Sequence, residues 1–216
     1  MMSPQPAVRR PLKAPKGSRH RRALDERLAV RFPGLYRMGA SALLRLRPNS
    51  PLRRVLVGRF ANAFLEAWSR RDFDLTLLVF DPEVEVCLPE ASAAAGSSTE
   101  LDQERFYRGP AGFRRFSERW NEPWDESRLE PAELFDFGDR ILILCRWVGR
   151  GRGSGVEVTQ PVAMLNSLRN GRVVRWQAWW DWSEALEAVG LPASSPADSA
   201  AQSSKNGPAK KQPGEG

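Results

Sequence analysis

The sequence predicts an α+β fold, and three observations carry it. Between Asp139 and Asp181, three strand-like runs (Asp139–Val148, Val156–Leu168 and Arg172–Asp181) are parted by Gly149–Gly155 and by Asn170-Gly171. An Asn-Gly pair between apolar runs is the strongest short-range hairpin signal. Upstream, apolar residues recur at helical spacing in Leu56, Phe60, Phe64 and Ala67, and again in Phe113, Phe116 and Trp120. A last helical repeat, Glu184 to Leu191, follows the final strand. Helices first and a run of antiparallel strands after them give segregated α+β rather than alternating α/β.

Each element follows in order. Residues 1–22 carry Pro4, Pro6, Pro11 and Pro15 among seven basic residues, and residues 192–216 are mostly Pro, Ala, Ser, Gly and Lys. Neither buries enough apolar surface to fold alone, so both are expected to be disordered tails. Ala23–Phe32 and Leu35–Leu46 read as two helices separated by Pro33-Gly34, making 23–50 a helical basic extension. Leu35, Met38, Ala42 and Leu46 share one face of the second helix, flanked by Arg37, Arg45 and Arg47.

The main domain, 51–191, opens at Ser50-Pro51, an N-cap residue followed by proline at the first helical position, and the helix runs to Trp68. A short helix, Phe73–Phe80, stops before Asp81-Pro82, and Val84–Leu88 makes a first strand. An Ala/Ser/Gly-rich loop, Ala91–Thr99, precedes a helix at Pro110–Trp120 and a strand at Arg128–Phe137. The spaced glycines of Gly149–Gly155 lead into a strand, whereas a nucleotide-binding loop opens a helix, so this segment is a hairpin turn.

Charge is unevenly spread. Residues 1–54 hold fourteen Arg or Lys against Asp25 and Glu26, a net of +12, while residues 55–191 hold sixteen Arg against twenty-two acids, a net of −6. The first reading of the basic arm is a solvated tail; after that, it suits an anionic membrane better than nucleic acid, because it carries no base-reading motif or stacking platform, and nucleic acid is not an expected partner. Cys87 and Cys145 sit in apolar strand patterns and read as reduced core residues, which suits a cytoplasmic setting. No apolar run approaches the ~20 residues of a membrane span, and no secretory segment opens the chain. The arm is Arg-rich and acid-poor before Asp25, as transit peptides also are, which leaves an organellar origin open. The single histidine, His20, lies in the arm, which excludes a histidine-based triad or zinc site in the domain. No metal and no cofactor is expected.

The order Arg71-Asp72-Phe73-Asp74, Phe80-Asp81-Pro82-Glu83-Val84-Glu85, Tyr107-Arg108-Gly109-Pro110-Ala111-Gly112, Gly138-Asp139-Arg140-Ile141 and Asn170-Gly171-Arg172-Val173 resembles the SnoaL-like branch of the nuclear transport factor 2-like superfamily. The resemblance covers about residues 51–191. It implies a curved antiparallel sheet wrapped around about three helices, a cone with an apolar pocket, and frequent homodimers formed through the convex sheet face. Fold alone assigns no chemistry in such a family. Where ketosteroid isomerase-like members hold a carboxylate base, a tyrosine and a protonated acid, this chain has Leu88, Phe64 and Ala163. The Arg-x-Asp of the epoxide hydrolases reads Arg146-Trp147-Val148, with Ala178 at their final-strand acid. The cyclase-type aspartate falls near Asp181, whose place before Trp182 suits a helix N-cap better.

Strand alternation puts Trp176, Ala178 and Trp180 inward and Arg175, Gln177, Trp179 and Asp181 on the convex face. Trp179 in particular predicts a dimer surface. The acids Glu85, Glu133, Asp136 and Glu157 are read as pointing outward. Arg146 is either an interior arginine poised for an anion or a strand-end residue reaching solvent. The candidate ligand-binding set is Phe64, Trp68, Phe106, Phe113, Phe116, Trp120, Arg146, Met164, Trp176, Ala178 and Trp180, with no catalytic residue. The leading expectation is a domain that binds an apolar or aromatic small molecule without efficient catalysis. The alternatives are a cyclase, isomerase or hydrolase working through carboxylates, and a dimeric scaffold whose basic arm contacts an anionic membrane.

Overall fold

A computed structural model describes residues 7–12, 24–88 and 106–193 of the chain. The loop at 91–99, His20 and most of both tails lie outside these residues. Helices α1 (Leu24–Arg31) and α2 (Pro33–Leu44) form the extension, and α3 (Pro51–Ser69) opens the domain. Then come α4 (Phe73–Thr76), α5 (Gly109–Asn121) and α6 (Trp182–Ala188). The strands are β1 (Val8–Pro11), β2 (Phe80–Cys87), β3 (Phe106–Arg108), β4 (Trp124–Asp136), β5 (Arg140–Gly151), β6 (Glu157–Arg169) and β7 (Arg172–Trp179), in one sheet ordered β1-β4-β5-β6-β7-β2-β3.

The α+β class holds, and the strands from β4 to β7 form the expected antiparallel meander. Asn170 and Gly171 take left-handed φ values of 51° and 75°, as the β6–β7 turn requires. Pro51 begins α3 as expected, although the Ser50 side chain makes no capping bond. Four expectations need correction. The sheet is mixed, because β2 runs parallel to β7. The short helix ends at Thr76 in a 3-10 turn, and β2 already begins at Phe80. β4 begins at Trp124 rather than Arg128.

The fourth correction concerns the amino-terminal tail, where Val8–Pro11 is a strand paired antiparallel to β4. Its stability is tertiary. Arg9 donates twice to the Glu133 carboxylate, at 2.9 Å each, and lies over the Phe135 ring, while Leu12 is buried. A four-residue edge strand ending in proline carries no periodic signal of its own.

The two sheet faces have separate cores. The inner face, with Ile141, Ile143, Cys145, Val162, Met164, Trp176 and Ala178, packs on α3 and α5. The outer face, with Phe135, Leu142, Leu144, Ala163 and Leu165, is covered by Trp182, Ala185 and Leu186 of α6. Asp181 caps α6, accepting from Ser183 N at 2.6 Å and Glu184 N at 3.1 Å. The Trp182 indole donates to the carbonyls of Cys145 and Val162, both at 3.1 Å. Trp179 packs against this cluster and is partly buried by it.

Of the strand acids read as outward, Asp136 faces inward, and Glu133 lies on the outer face but is covered. Asp136 is fully buried, and its carboxylate accepts Nε and Nη2 of the equally buried Arg53 at 2.8 Å each. Arg53 also donates to the carbonyls of Leu44, Leu46 and Gly138, which uses all five of its N–H groups. Glu133 is buried and paired with Arg9, whose own side chain is 45% exposed. Both acids sit at the β1 end of the sheet, where basic partners supplied by the amino-terminal segment and α3 compensate their charge.

Cys145 is fully buried and donates to the Val162 carbonyl at 3.5 Å, and burial pushes its thiol pKa up. A raised folded-state value means stability present below the unfolded thiol's pKa and lost above it. Above about pH 8.5 the unfolding free energy is expected to fall by ~1.4 kcal/mol per pH unit from this group. Cys145→Ala removes that slope in urea titrations run between pH 8 and 10; an unchanged slope refutes the assignment.

Candidate functional site

A cavity of about 430 Å³ lies between one end of the sheet's inner face, α3, and the undersides of α1 and α2. Its floor is Ile141 and Ile143 of β5, Asn166 and Leu168 of β6 and Val173 of β7. Val57, Phe60, Ala61 and Phe64 of α3 form a wall, and Ala29, Tyr36, Ala40 and Leu44 form the roof. The space exists because alanines stand at 29, 40, 61 and 63, where larger side chains would meet across it.

The roof is fixed to the domain at defined points. The Ser41 hydroxyl donates to Asn170 O at 3.0 Å, and Arg37 Nε donates to Leu78 O at 3.1 Å. Tyr36 meets Phe60 edge-to-face at 5.5 Å between centroids. Gly171 is required twice over. Its φ is positive, and a Cβ there would stand 2.2 Å from Ser41 Cα, so any side chain would push α2 off the β6–β7 turn.

Polar groups are few and placed at the edges. Asn166 is the one polar side chain that the sheet contributes, buried and donating through Nδ2 to Ile141 O at a long 3.4 Å. Thr76 donates to Asp72 O at 2.9 Å. Of the two carboxylates, Glu26 is buried and paired with Arg70 at 3.0 Å, and Asp25 lies exposed 3.7 Å from Arg59. Burial, reinforced by these two acids, raises the Tyr36 pKa, so its hydroxyl stays protonated and able to donate.

Of the sequence-predicted set, Phe64 alone lines this cavity. Trp68, Phe113, Phe116 and Trp176 pack on one another, with Phe113 edge-on to Trp176 at 5.4 Å and to Trp68 at 5.5 Å. Trp120 stacks on Trp180 at 4.8 Å and 13°. These aromatics fill the other end of the cone as core, because each ring's partner is another ring. Met164 and Ala178 are buried cross-strand neighbours in the same core.

Phe106 is 71% exposed, since alternation along β3 turns Tyr107 inward instead. Arg146 belongs to the outer face with Leu142 and Leu144, its guanidinium 5.5 Å from the Trp182 ring centroid, and does not line the cavity. Ala163 also faces outward, into the core beneath α6. The sequence signal that reading missed was Asn166, which breaks the apolar inward run Val162, Met164, Leu168, together with the alanines at helix spacing.

Comparison with known proteins gives a consistent setting. A family profile described as the SnoaL-like domain matches residues 61–176. No curated protein sequence matches the chain. Among solved structures, TerC co-crystallised with polyporic acid is 22% identical, covering 60% of this chain and 94% of that one, with a TM-score of 0.48. A nuclear transport factor 2-like protein of unknown function from Burkholderia pseudomallei is 22% identical over 62% of this chain and 96% of its own, TM-score 0.47. A Catenulispora acidiphila protein with a ketosteroid isomerase-like fold, in complex with trimethylamine, is 16% identical over 62% and 94%, TM-score 0.47.

Proposed function

The chain belongs to the SnoaL-like domain family, and on that footing we propose that it binds an apolar small molecule in the cavity between α3, the sheet and the α1–α2 roof. The supporting observation is the lining: alkyl and aromatic groups on all sides, with Asn166 as the single polar side chain offered by the sheet. A pocket of this size and character holds an apolar body and orients it through one or two hydrogen bonds. The Asn166 amide and the Tyr36 hydroxyl are the groups available for that. Glu26 and Asp25 are engaged with arginines at the roof, which favours binding over acid–base chemistry.

The apolar fluorophore N-phenyl-1-naphthylamine is expected to brighten and shift blue on mixing with the full chain. Ala40→Phe and Ala63→Phe fill the space from opposite sides, and each is expected to weaken the probe's binding at least tenfold while leaving the circular dichroism spectrum unchanged. Binding indifferent to both substitutions rules the cavity out as the site.

A further inference from the structure

The helices that roof the cavity turn a second apolar face outward. Leu24 and Leu28 of α1 and Phe32, in the link to α2, recur every four residues and are 77%, 59% and 50% exposed. On α2, Leu35 and Met38 are 64% and 65% exposed, opposite the side where Tyr36, Ala40 and Leu44 line the cavity. Single exposed apolar residues are ordinary, but five large ones on two consecutive short helices and their link are not. Exposed arginines are interleaved with them: Arg27, Arg31, Arg37, Arg45 and Arg47. The only acids on these helices, Asp25 and Glu26, are turned to the cavity side and paired with Arg59 and Arg70.

We propose that α1 and α2 form a docking face for an anionic lipid bilayer and that the cavity beneath them exchanges its apolar ligand with that bilayer. Leucine, phenylalanine and methionine flanked by arginine is the composition of an interfacial helix, the apolar side chains entering the acyl boundary and the guanidinium groups meeting lipid phosphates. The exposed arginines of these helices, with both of their acids already paired inward, select the occupant. A second copy would bring the same positive face against itself, and nucleic acid would leave the apolar residues in water. Asp25 and Glu26 sit between the docking face and the cavity, so lifting α1 breaks their ion pairs with Arg59 and Arg70 and opens the chamber on the lipid side. The exchange step rests on the cavity reading above; the docking step does not.

Vesicle flotation of the full chain at physiological salt tests docking, using phosphatidylcholine with and without 30% phosphatidylglycerol. The wild type is expected to float with the anionic vesicles alone. Leu28→Ser/Leu35→Ser/Met38→Ser and, separately, Arg27→Glu/Arg31→Glu are each expected to reduce the floated fraction at least tenfold; these side chains are exposed, so the fold survives, as circular dichroism will show. No flotation, equal flotation with neutral vesicles, or apolar residues that matter only to self-association in sedimentation overturns the proposal.

Exchange is read as the rate at which N-phenyl-1-naphthylamine leaves preloaded anionic vesicles. Ala63→Phe is expected to float normally and to lose that transfer. Transfer undiminished in Ala63→Phe overturns the exchange step while leaving docking supported, and probe binding in solution without flotation overturns docking while leaving the cavity reading intact.

Discussion

Replacing Arg53 with methionine is expected to destabilise the protein by about 3–5 kcal/mol, the largest effect of any single change at a charged residue here. The guanidinium is fully buried and satisfied on all five N–H groups, two of them by Asp136. Methionine fills much of the volume but leaves the Asp136 carboxyl buried without its bidentate partner, with Arg10, 3.6 Å away, as its remaining cation among the described residues. The carbonyls of Leu44, Leu46 and Gly138 lose their donor as well, which loosens the α2–α3 junction and the β4–β5 turn together. The double change Arg53→Met/Asp136→Leu is expected to recover only part of the loss. It removes the orphaned carboxylate but strips the ion partner from Arg10, whose own pKa is already lowered by burial. Urea midpoints of the single and double variants measure this. A single-variant loss below about 1 kcal/mol would mean the buried pair contributes specificity and little stability.

The second large effect lies on the opposite face. Trp182→Ala is expected to cost roughly 3–5 kcal/mol, a melting midpoint lower by about 10 °C, because α6 is only seven residues long and this ring holds it to the sheet. The loss has two parts that Trp182→Phe separates. Phenylalanine keeps most of the apolar cover over Leu144 and Ala163 but gives up the indole donation to Cys145 O and Val162 O, which is worth about 1 kcal/mol. With α6 displaced, Leu142, Leu144, Ala163 and Leu165 become an open apolar patch, and sedimentation of Trp182→Ala is expected to show self-association greater than that of the wild type. A thermal midpoint within 2 °C of wild type would show that α6 is not what covers the outer face.

Local signals carried much of the architecture. The Asn170-Gly171 turn, the alternation in β7 and the start of α3 at Pro51 all read correctly because each is decided by residues close together in the chain. What escaped was decided at a distance. β1 exists because Arg9 meets Glu133, and Asp136 is buried because α3 delivers Arg53 to it; nothing in either neighbourhood announces a partner. The cavity was misplaced for a related reason. Aromatic residues were read as its walls, whereas large rings close space by packing on each other, and it is the small residues Ala29, Ala40, Ala61 and Ala63 that leave space open. The extension reads from sequence as a helical basic segment outside the 51–191 domain, its apolar face open to the sheet or to a partner; it supplies the roof, held by the contacts of Ser41, Arg37 and Tyr36 with distant parts of the chain.

The parallel pairing of β2 with β7 also sets the order in which the chain can fold. Val86 has its neighbour in Trp176, and Arg9 has its partner in Glu133, 124 residues on. The β4–β7 meander closes through short turns and is the fast, local part, but the two pairings that seat the amino-terminal half must each close a long loop first. During synthesis, a chain that ends before Arg172 holds β2 with no strand on its β7 side, leaving an unpaired edge beside Val84 and Val86. Docking of β2 onto β7 is therefore expected to follow closure of the β4–β7 meander.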